Sequence, residues 1–187
     1  MPNSLSLAAT LALVVSLPGL AETQSTDSLE AEAAALASDF IAILKPELKQ
    51  ALQTGGPTRA IEVCADRAPR IADALGAESG WQVKRVSLQP RNASRAVPDQ
   101  WERAVLKGFE RLLAEGEAPE ALRHGEVVGS QFRFMQAQAV EGLCLLCHGE
   151  NIGEEVKASL QEYYPDDAAT GYYAGQIRGA ISLAKPL

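Results

Sequence analysis

The stretch EGLCLLCHGEN, from Glu141 to Asn151, carries two cysteines and a histidine that directly follows the second of them. Cys144 and Cys147 are separated by two residues, so their thiols lie on the same side of a helical turn. This spacing is typical of covalent c-type haem attachment. Two thiols reach the vinyl groups on one porphyrin edge, and the imidazole of His148 is then next to the iron.

Three other interpretations of this motif explain fewer of its residues. A zinc site usually has a second pair of ligands. Outside the motif the chain has one cysteine, Cys64, and one histidine, His124. A thioredoxin-like dithiol is expected near a βαβ pattern, which the sequence does not show. A disulfide between Cys144 and Cys147 leaves His148 without a role. We therefore predict one covalently attached haem c, with His148 as a ligand of its iron.

The N-terminus is typical of a secretory signal peptide. An uncharged, mostly apolar run from Leu5 to Leu17 precedes small residues that end at Ala21, and a polar acidic segment follows. The run is shorter than the roughly 20 residues of a spanning helix, and no later segment is apolar for long enough to cross a membrane. We predict that residues 1–21 are removed and that the protein is periplasmic, the kind of compartment in which haem c is attached.

Residues 22–187 suit a single soluble domain with its own core. The net charge of −7 and the isoelectric point near 4.9 argue against nucleic acid and anionic lipid as partners.

Hydrophobic periodicity predicts helices before and after a first strand. The first helix runs from 27 to 53 with a kink or division at Pro46, and TGGP at 54–57 ends it. The second helix contains Pro69 and stops at Gly76, and the third runs from 101 to 113 and stops at Gly116.

Three segments have the alternation of strands. We expect strands at 81–89, with a bulge between Val83 and Val86, at 126–140, and at 175–184. In the last strand, Ile177, Gly179, Ile181 and Leu183 are predicted to share one face. The order of elements predicts an α+β fold with an antiparallel sheet flanked by helices.

Cys64 remains as an odd thiol in an exported protein. It lies on the apolar stripe of the second helix and so faces whatever that helix packs against. A small buried hydrophobic role and a role as the second axial iron ligand both fit this position. His124, Met135 and a lysine amine are the other candidates for the second ligand.

Five segments in order resemble the Tll0287-like haem domain family, also called DUF3365, over residues 36–183. They are AIEVCADRAPRIA, WQVKRVSLQPRN, DQWERAVLKGFE, LCLLCHGE and YYPDDAATGYYAGQIRGAISL. The resemblance implies a PAS-like haem c domain with N-terminal helices. It also implies that His148 and Cys64 are the two axial ligands.

Further site residues lie in the same segments. Arg85, Arg91 and Arg178 are candidates for haem propionate contacts, with ordinary solvated or core-edge arginines as the alternative. Tyr163, Tyr164, Tyr172 and Tyr173 are candidates for lining the haem edge, with a structural role as the alternative.

The resemblance implies a sensor of redox state or of a diatomic gas that acts by ligand exchange at the iron and reports to a separate signalling protein. The alternative is a periplasmic electron-transfer cytochrome with an electron donor and acceptor as partners. A peroxidase-like enzyme is a third hypothesis, which needs an open iron position and a distal acid-base residue such as His124. We expect a protein that is not an enzyme.

Overall fold

A long helix, α1 (Thr26–Ser79), begins the part of the chain that this computed structural model describes, residues 25–187. The predicted signal peptide lies outside these residues. The Ser25 side chain caps the first turn by accepting a hydrogen bond from the amide of Ser28. At Gly56 the backbone leaves the helical region, with φ 69°, so α1 consists of two helical segments joined at the predicted TGGP break.

The helix continues past the predicted stop at Gly76. It ends at Ser79, where Gly80 adopts the left-handed conformation, with φ 74°, that terminates many helices. Gly76 has a packing role instead, because a Cβ atom there would lie 2.8 Å from the carbonyl oxygen of Trp81. The glycine therefore allows the chain to turn back closely against its own helix.

Four strands form one antiparallel sheet in the order β1-β4-β3-β2. They are β1 (Gln82–Val86), β2 (Arg123–Val128), β3 (Gln131–Ala139) and β4 (Ile177–Pro186). The extended segment predicted at 126–140 is the end of β2 and the whole of β3, joined by a turn at Gly129. The α+β class with an antiparallel sheet is thus confirmed.

Helices cover both faces of the sheet. On one face α1 packs against Phe132, Phe134 and Leu183. On the other face α2 (Gln100–Ala114) packs through Leu106 and Phe109. Because both faces are covered, the apolar residues of β1 do not alternate strictly. The strand nevertheless pairs with β4 in unbroken register. Val83 and Val86 are buried on opposite faces, so the predicted bulge in β1 is wrong.

The bulge occurs in β4 instead. Gln138 pairs with Gly179 and Ala139 pairs with Ile177, which leaves Arg178 without a partner in the ladder. Ile177 consequently joins the cluster beneath α2, and the prediction that it shares a face with Ile181 and Leu183 is wrong. The same irregularity sets the direction of the Arg178 side chain.

Short helical elements connect β3 to β4. A 3-10 turn (Gly142–Cys144) leads into α3 (Leu145–His148) and then into α4 (Glu154–Tyr163). Another 3-10 turn (Pro119–Ala121) precedes β2. Within residues 25–187, no helix combines the length and apolar character that crossing a membrane requires.

Candidate functional site

A cavity of about 260 Å³ lies between α1, the sheet and the CxxCH motif. Cys64, on the second segment of α1, lines this cavity together with Cys144, Cys147 and His148. The face of the helix that carries Cys64 was predicted to be a packing face, and in the structure it borders the motif. Much of the remaining wall is apolar and comes from α1, including Ile41, Leu44, Leu48, Leu52, Ala68 and Ala72.

The motif is held as one compact turn against the chain before β4. The amide of Tyr172 donates to the carbonyl oxygen of His148 at 2.9 Å, and the amide of Gly171 donates to that of Gly149 at 3.1 Å. Gly149 allows the close turn, because a Cβ atom there would lie 2.7 Å from the oxygen of Leu145. Cys144 and Cys147 are both half-buried.

The imidazole of His148 is fixed through one ring nitrogen. Its Nδ1 atom lies 2.7 Å from the carbonyl oxygen of Ala169, so the favoured tautomer donates from Nδ1 and leaves a lone pair on Nε2. Loss of hydration, followed by the charges of Arg178 and Arg91, holds the pKa of His148 well below its usual value. The side chain is consequently neutral at physiological pH, as a metal ligand must be.

Arg91 connects the loop after β1 to the motif. Its guanidinium pairs with Asp167 at 3.0 Å and donates to the carbonyl oxygens of Cys147 at 2.5 Å and Ala169 at 3.1 Å. Its Nη1 atom lies 3.5 Å from Nε2 of His148. Both members of the pair with Asp167 are nearly buried. Arg91 therefore holds together the segments on either side of the cavity.

Arg178 occupies the wall between two cavities. It is 8% exposed, donates to Ser87 Oγ at 2.8 Å and to the carbonyl oxygen of Gln89 at 3.2 Å, and makes no ion pair with a described residue. Its Nε atom lies 3.2 Å from Nδ1 and 3.4 Å from Nε2 of His148. A second cavity of about 410 Å³ begins on its other side, beneath α2. Burial lowers the pKa of Arg178 to about 10, and nearby Arg85 contributes in the same direction.

Cys64 has cationic neighbours. Partial burial raises the pKa of its thiol, whereas the positive charges of Arg85 and Arg91 act in the opposite direction. Arg85 lines the cavity and forms no side-chain hydrogen bond or ion pair with any residue from 25 to 187. Tyr164 lines the cavity as well. All three arginines named from the sequence thus reach this cavity.

The other candidates for the second axial ligand lie elsewhere or are engaged. His124 is exposed on β2 beside Glu126, and Met135 is buried in the cluster beneath α2. Lys45 and Lys84 reach the cavity, but their amines pair with Glu141 and Glu102 respectively. Among the described residues, no group of three or more His, Cys, Asp or Glu side chains could hold a metal ion.

The four tyrosines separate into different environments. Tyr164 is in the cavity, and Tyr172 lines the second cavity with its ring 6.3 Å from that of His148, centroid to centroid. Tyr163 and Tyr173 are exposed. Sequence reasoning missed Ser87, Asp167 and Ala169, which support Arg178, Arg91 and His148. The Ala169 contact is made by a backbone atom, so no side-chain signal could reveal it.

Comparison with known proteins gives two matches of different kinds. The profile of the Tll0287-like family matches residues 21–186. The crystal structure of the cyanobacterial heme-protein Tll0287 superposes with a TM-score of 0.68 at 23% sequence identity, over 87% of this chain and 97% of that one. At this identity the superposition shows the fold. No curated protein matches the chain.

Proposed function

The chain belongs to the Tll0287-like family, and on this premise we propose that it is an exported c-type haem protein that senses redox state or a diatomic gas. The observation that carries the proposal is the shared cavity of Cys64 and the CxxCH motif, which are far apart in the sequence. A solved protein with the same fold is named a heme-protein.

The residues of the cavity fit a haem by their chemistry. Apolar side chains from α1 suit the porphyrin faces, and the thiols of Cys144 and Cys147 suit its vinyl groups. A neutral His148 suits the iron, and the guanidinium groups of Arg85, Arg91 and Arg178 suit propionates. When bound, haem supplies a one-electron redox centre whose iron can also bind a diatomic gas.

The two proposed axial ligands differ in how they are held. His148 follows Cys147 directly, so a thioether at Cys147 keeps the imidazole at a high effective concentration beside the iron. Cys64 is retained only by the packing of α1. Its thiolate donates charge and so prefers ferric to ferrous iron. A thousandfold preference would lower the reduction potential by roughly 180 mV, at about 59 mV for each tenfold change.

We infer that, with a haem bound, Cys64 would be the weaker of the two ligands on reduced iron and His148 would stay in place. Release of the sulfur would free the second segment of α1 from the iron while making that side of the cavity available to a gas. A change in α1 is then the signal that a separate signalling protein reads.

The alternative, an electron-transfer cytochrome, is favoured by a different observation. Leu143 directly precedes the motif, Leu146 lies within it, and they are 37% and 46% exposed. The edge near the proposed thioethers is therefore apolar, as the surface that contacts an electron-transfer partner often is. Such a cytochrome would keep Cys64 and His148 in both oxidation states. A peroxidase has less support, because His124 does not line the cavity.

Carbon monoxide distinguishes the sensor from the electron carrier. The wild-type protein and Cys64→Ala are reduced with dithionite, exposed to carbon monoxide, and followed by the position of the Soret band. The sensor predicts that both proteins bind the gas. Binding by Cys64→Ala alone would mean that Cys64 stays on reduced iron, and the electron carrier would replace the sensor.

A further inference from the structure

Tyr164 lies close to Cys64, in a cluster that also includes Cys147 of the motif. It follows the last residue of α4, is 9% exposed, and packs with Ile61 and Ala65, which flank Cys64 along α1. It also lines the cavity itself. Its ring is therefore fixed by packing beside the Cys64 segment.

The hydroxyl of Tyr164 is available as a donor. It makes no hydrogen bond to any residue from 25 to 187, and the side-chain atoms there that are fully buried without a partner are Trp81 Nε1 and Arg133 Nε. The hydroxyl thus keeps some accessible surface. Burial, followed by the proximity of Cys64, raises the pKa of Tyr164 to about 12. The group stays protonated at neutral pH.

The polar surroundings of Cys64 contain donors in excess. Arg85 has no hydrogen-bond acceptor among the described residues, and the nearby carboxylate of Asp167 is already paired with Arg91. Arg85 is half-buried and lines the cavity, so its guanidinium can donate a hydrogen bond to a group that enters there. The Cys64 side therefore suits a small ligand that is anionic or strongly polarised.

We propose that Tyr164 donates a hydrogen bond to ligands on the Cys64 side of the cavity and makes that side select small hydrogen-bond acceptors over carbon monoxide. This selectivity rests on the proposed haem function. It is a different property from the release of Cys64, because it applies to any ligand that occupies the iron position proposed for Cys64.

The test uses the full chain in a Cys64→Ala background, where the position is open whether or not Cys64 leaves on reduction. Cyanide is titrated into ferric Cys64→Ala and ferric Cys64→Ala/Tyr164→Phe, and carbon monoxide into the two reduced proteins, with the Soret band as the readout. Phenylalanine keeps the ring and removes the hydroxyl. The matched control is Cys64→Ala/Tyr163→Phe, because Tyr163 is the exposed neighbour.

We expect Tyr164→Phe to weaken cyanide binding by about tenfold or more, as for the loss of one hydrogen bond to a charged acceptor. Carbon monoxide affinity should change less than about threefold, because this ligand is a poor acceptor, and Tyr163→Phe should change neither. Equal cyanide affinities with and without the Tyr164 hydroxyl would overturn the selectivity. Haem staining and carbon monoxide binding by the same proteins would still uphold the haem function. A wild-type protein without covalent haem would instead refute both proposals at their common premise.

Discussion

Nδ1 of His148 lies 2.7 Å from the carbonyl oxygen of Ala169, and the same oxygen accepts a hydrogen bond from Arg91 at 3.1 Å. One backbone atom in the loop before β4 thus orients the imidazole and anchors the arginine that holds the motif. This contact favours the proton on Nδ1 and leaves the lone pair on Nε2, which faces Arg178 and Arg91.

The first prediction concerns covalent attachment. In a host that matures cytochromes c, the wild-type protein should retain haem through denaturing electrophoresis and stain for it. Cys144→Ala and Cys147→Ala should each keep at most one thioether, and the double variant should keep none, because these thiols form the bonds. A wild-type band without stain would contradict the attachment.

The second prediction concerns Cys64. Cys64→Ser should shift the Soret band and the electron paramagnetic resonance g-values of the ferric protein, because an alcohol is a poor ligand of ferric iron. It should also raise the reduction potential, since a donor that favours the ferric state has been lost. Met135→Leu and His124→Gln are the controls and should change neither. Spectra unaffected by Cys64→Ser would make Cys64 a small buried hydrophobic residue.

The third prediction concerns Arg91 and is measured by urea unfolding. Arg91→Lys should lower the free energy of unfolding by about 2 kcal/mol, because a lysine cannot bond Asp167 and two carbonyl oxygens together at a nearly buried position. Arg95→Lys is the control, since Arg95 pairs with Asp73 on the surface, and it should cost less than about 1 kcal/mol. Equal losses would show that the Arg91 contacts add no more stability than the surface pair of Arg95.

The fourth prediction concerns Asp99, which caps α2 through the amide of Glu102. Asp99→Ala should destabilise the protein by about 1 kcal/mol, whereas Asp99→Asn keeps the cap and removes the charge. Partial burial acts to raise the pKa of the Asp99 carboxyl, but the amide of Glu102 and the guanidinium of Arg133 lower it overall.

Because the folded pKa of Asp99 is depressed, its stabilisation is present above the unfolded pKa, which is about 3.9, and is lost as pH falls through the lower folded value. The difference in unfolding free energy between wild type and Asp99→Asn, followed by urea titration from pH 7 to pH 2, should therefore diminish below about pH 4. A difference that is constant over this range would exclude the charge contribution.

The fifth prediction compares two glycines within helices. Gly76→Ala should lower the melting temperature, because the new Cβ would lie 2.8 Å from the backbone oxygen of Trp81. Gly108→Ala in α2 should raise it, since the nearest atom is the end of the Arg111 side chain at 4.0 Å and alanine favours a helix by up to about 1 kcal/mol. Stabilisation by both substitutions would mean that Gly76 has no packing role.

The sequence by itself determined the α+β class, the break at TGGP and the stop of α2 near Gly116. Five of its segments also indicated the Tll0287-like family, and the profile match over residues 21–186 confirms this. These features depend on local chemistry, namely the period of apolar residues and the backbone freedom of glycine. The haem attachment and the ligand roles of His148 and Cys64 stay predictions.

Tertiary structure alone decided which distant residues meet. Two buried faces on β1 produced a pattern that looked like a bulge, whereas the true bulge lies at Arg178, where the pairing of β4 with β3 slips. The exposed surface of β2 gave no alternation from which a strand could be recognised. The hydrogen bond from His148 to Ala169 involves a backbone oxygen that every residue type carries, so only the folded chain could assign it.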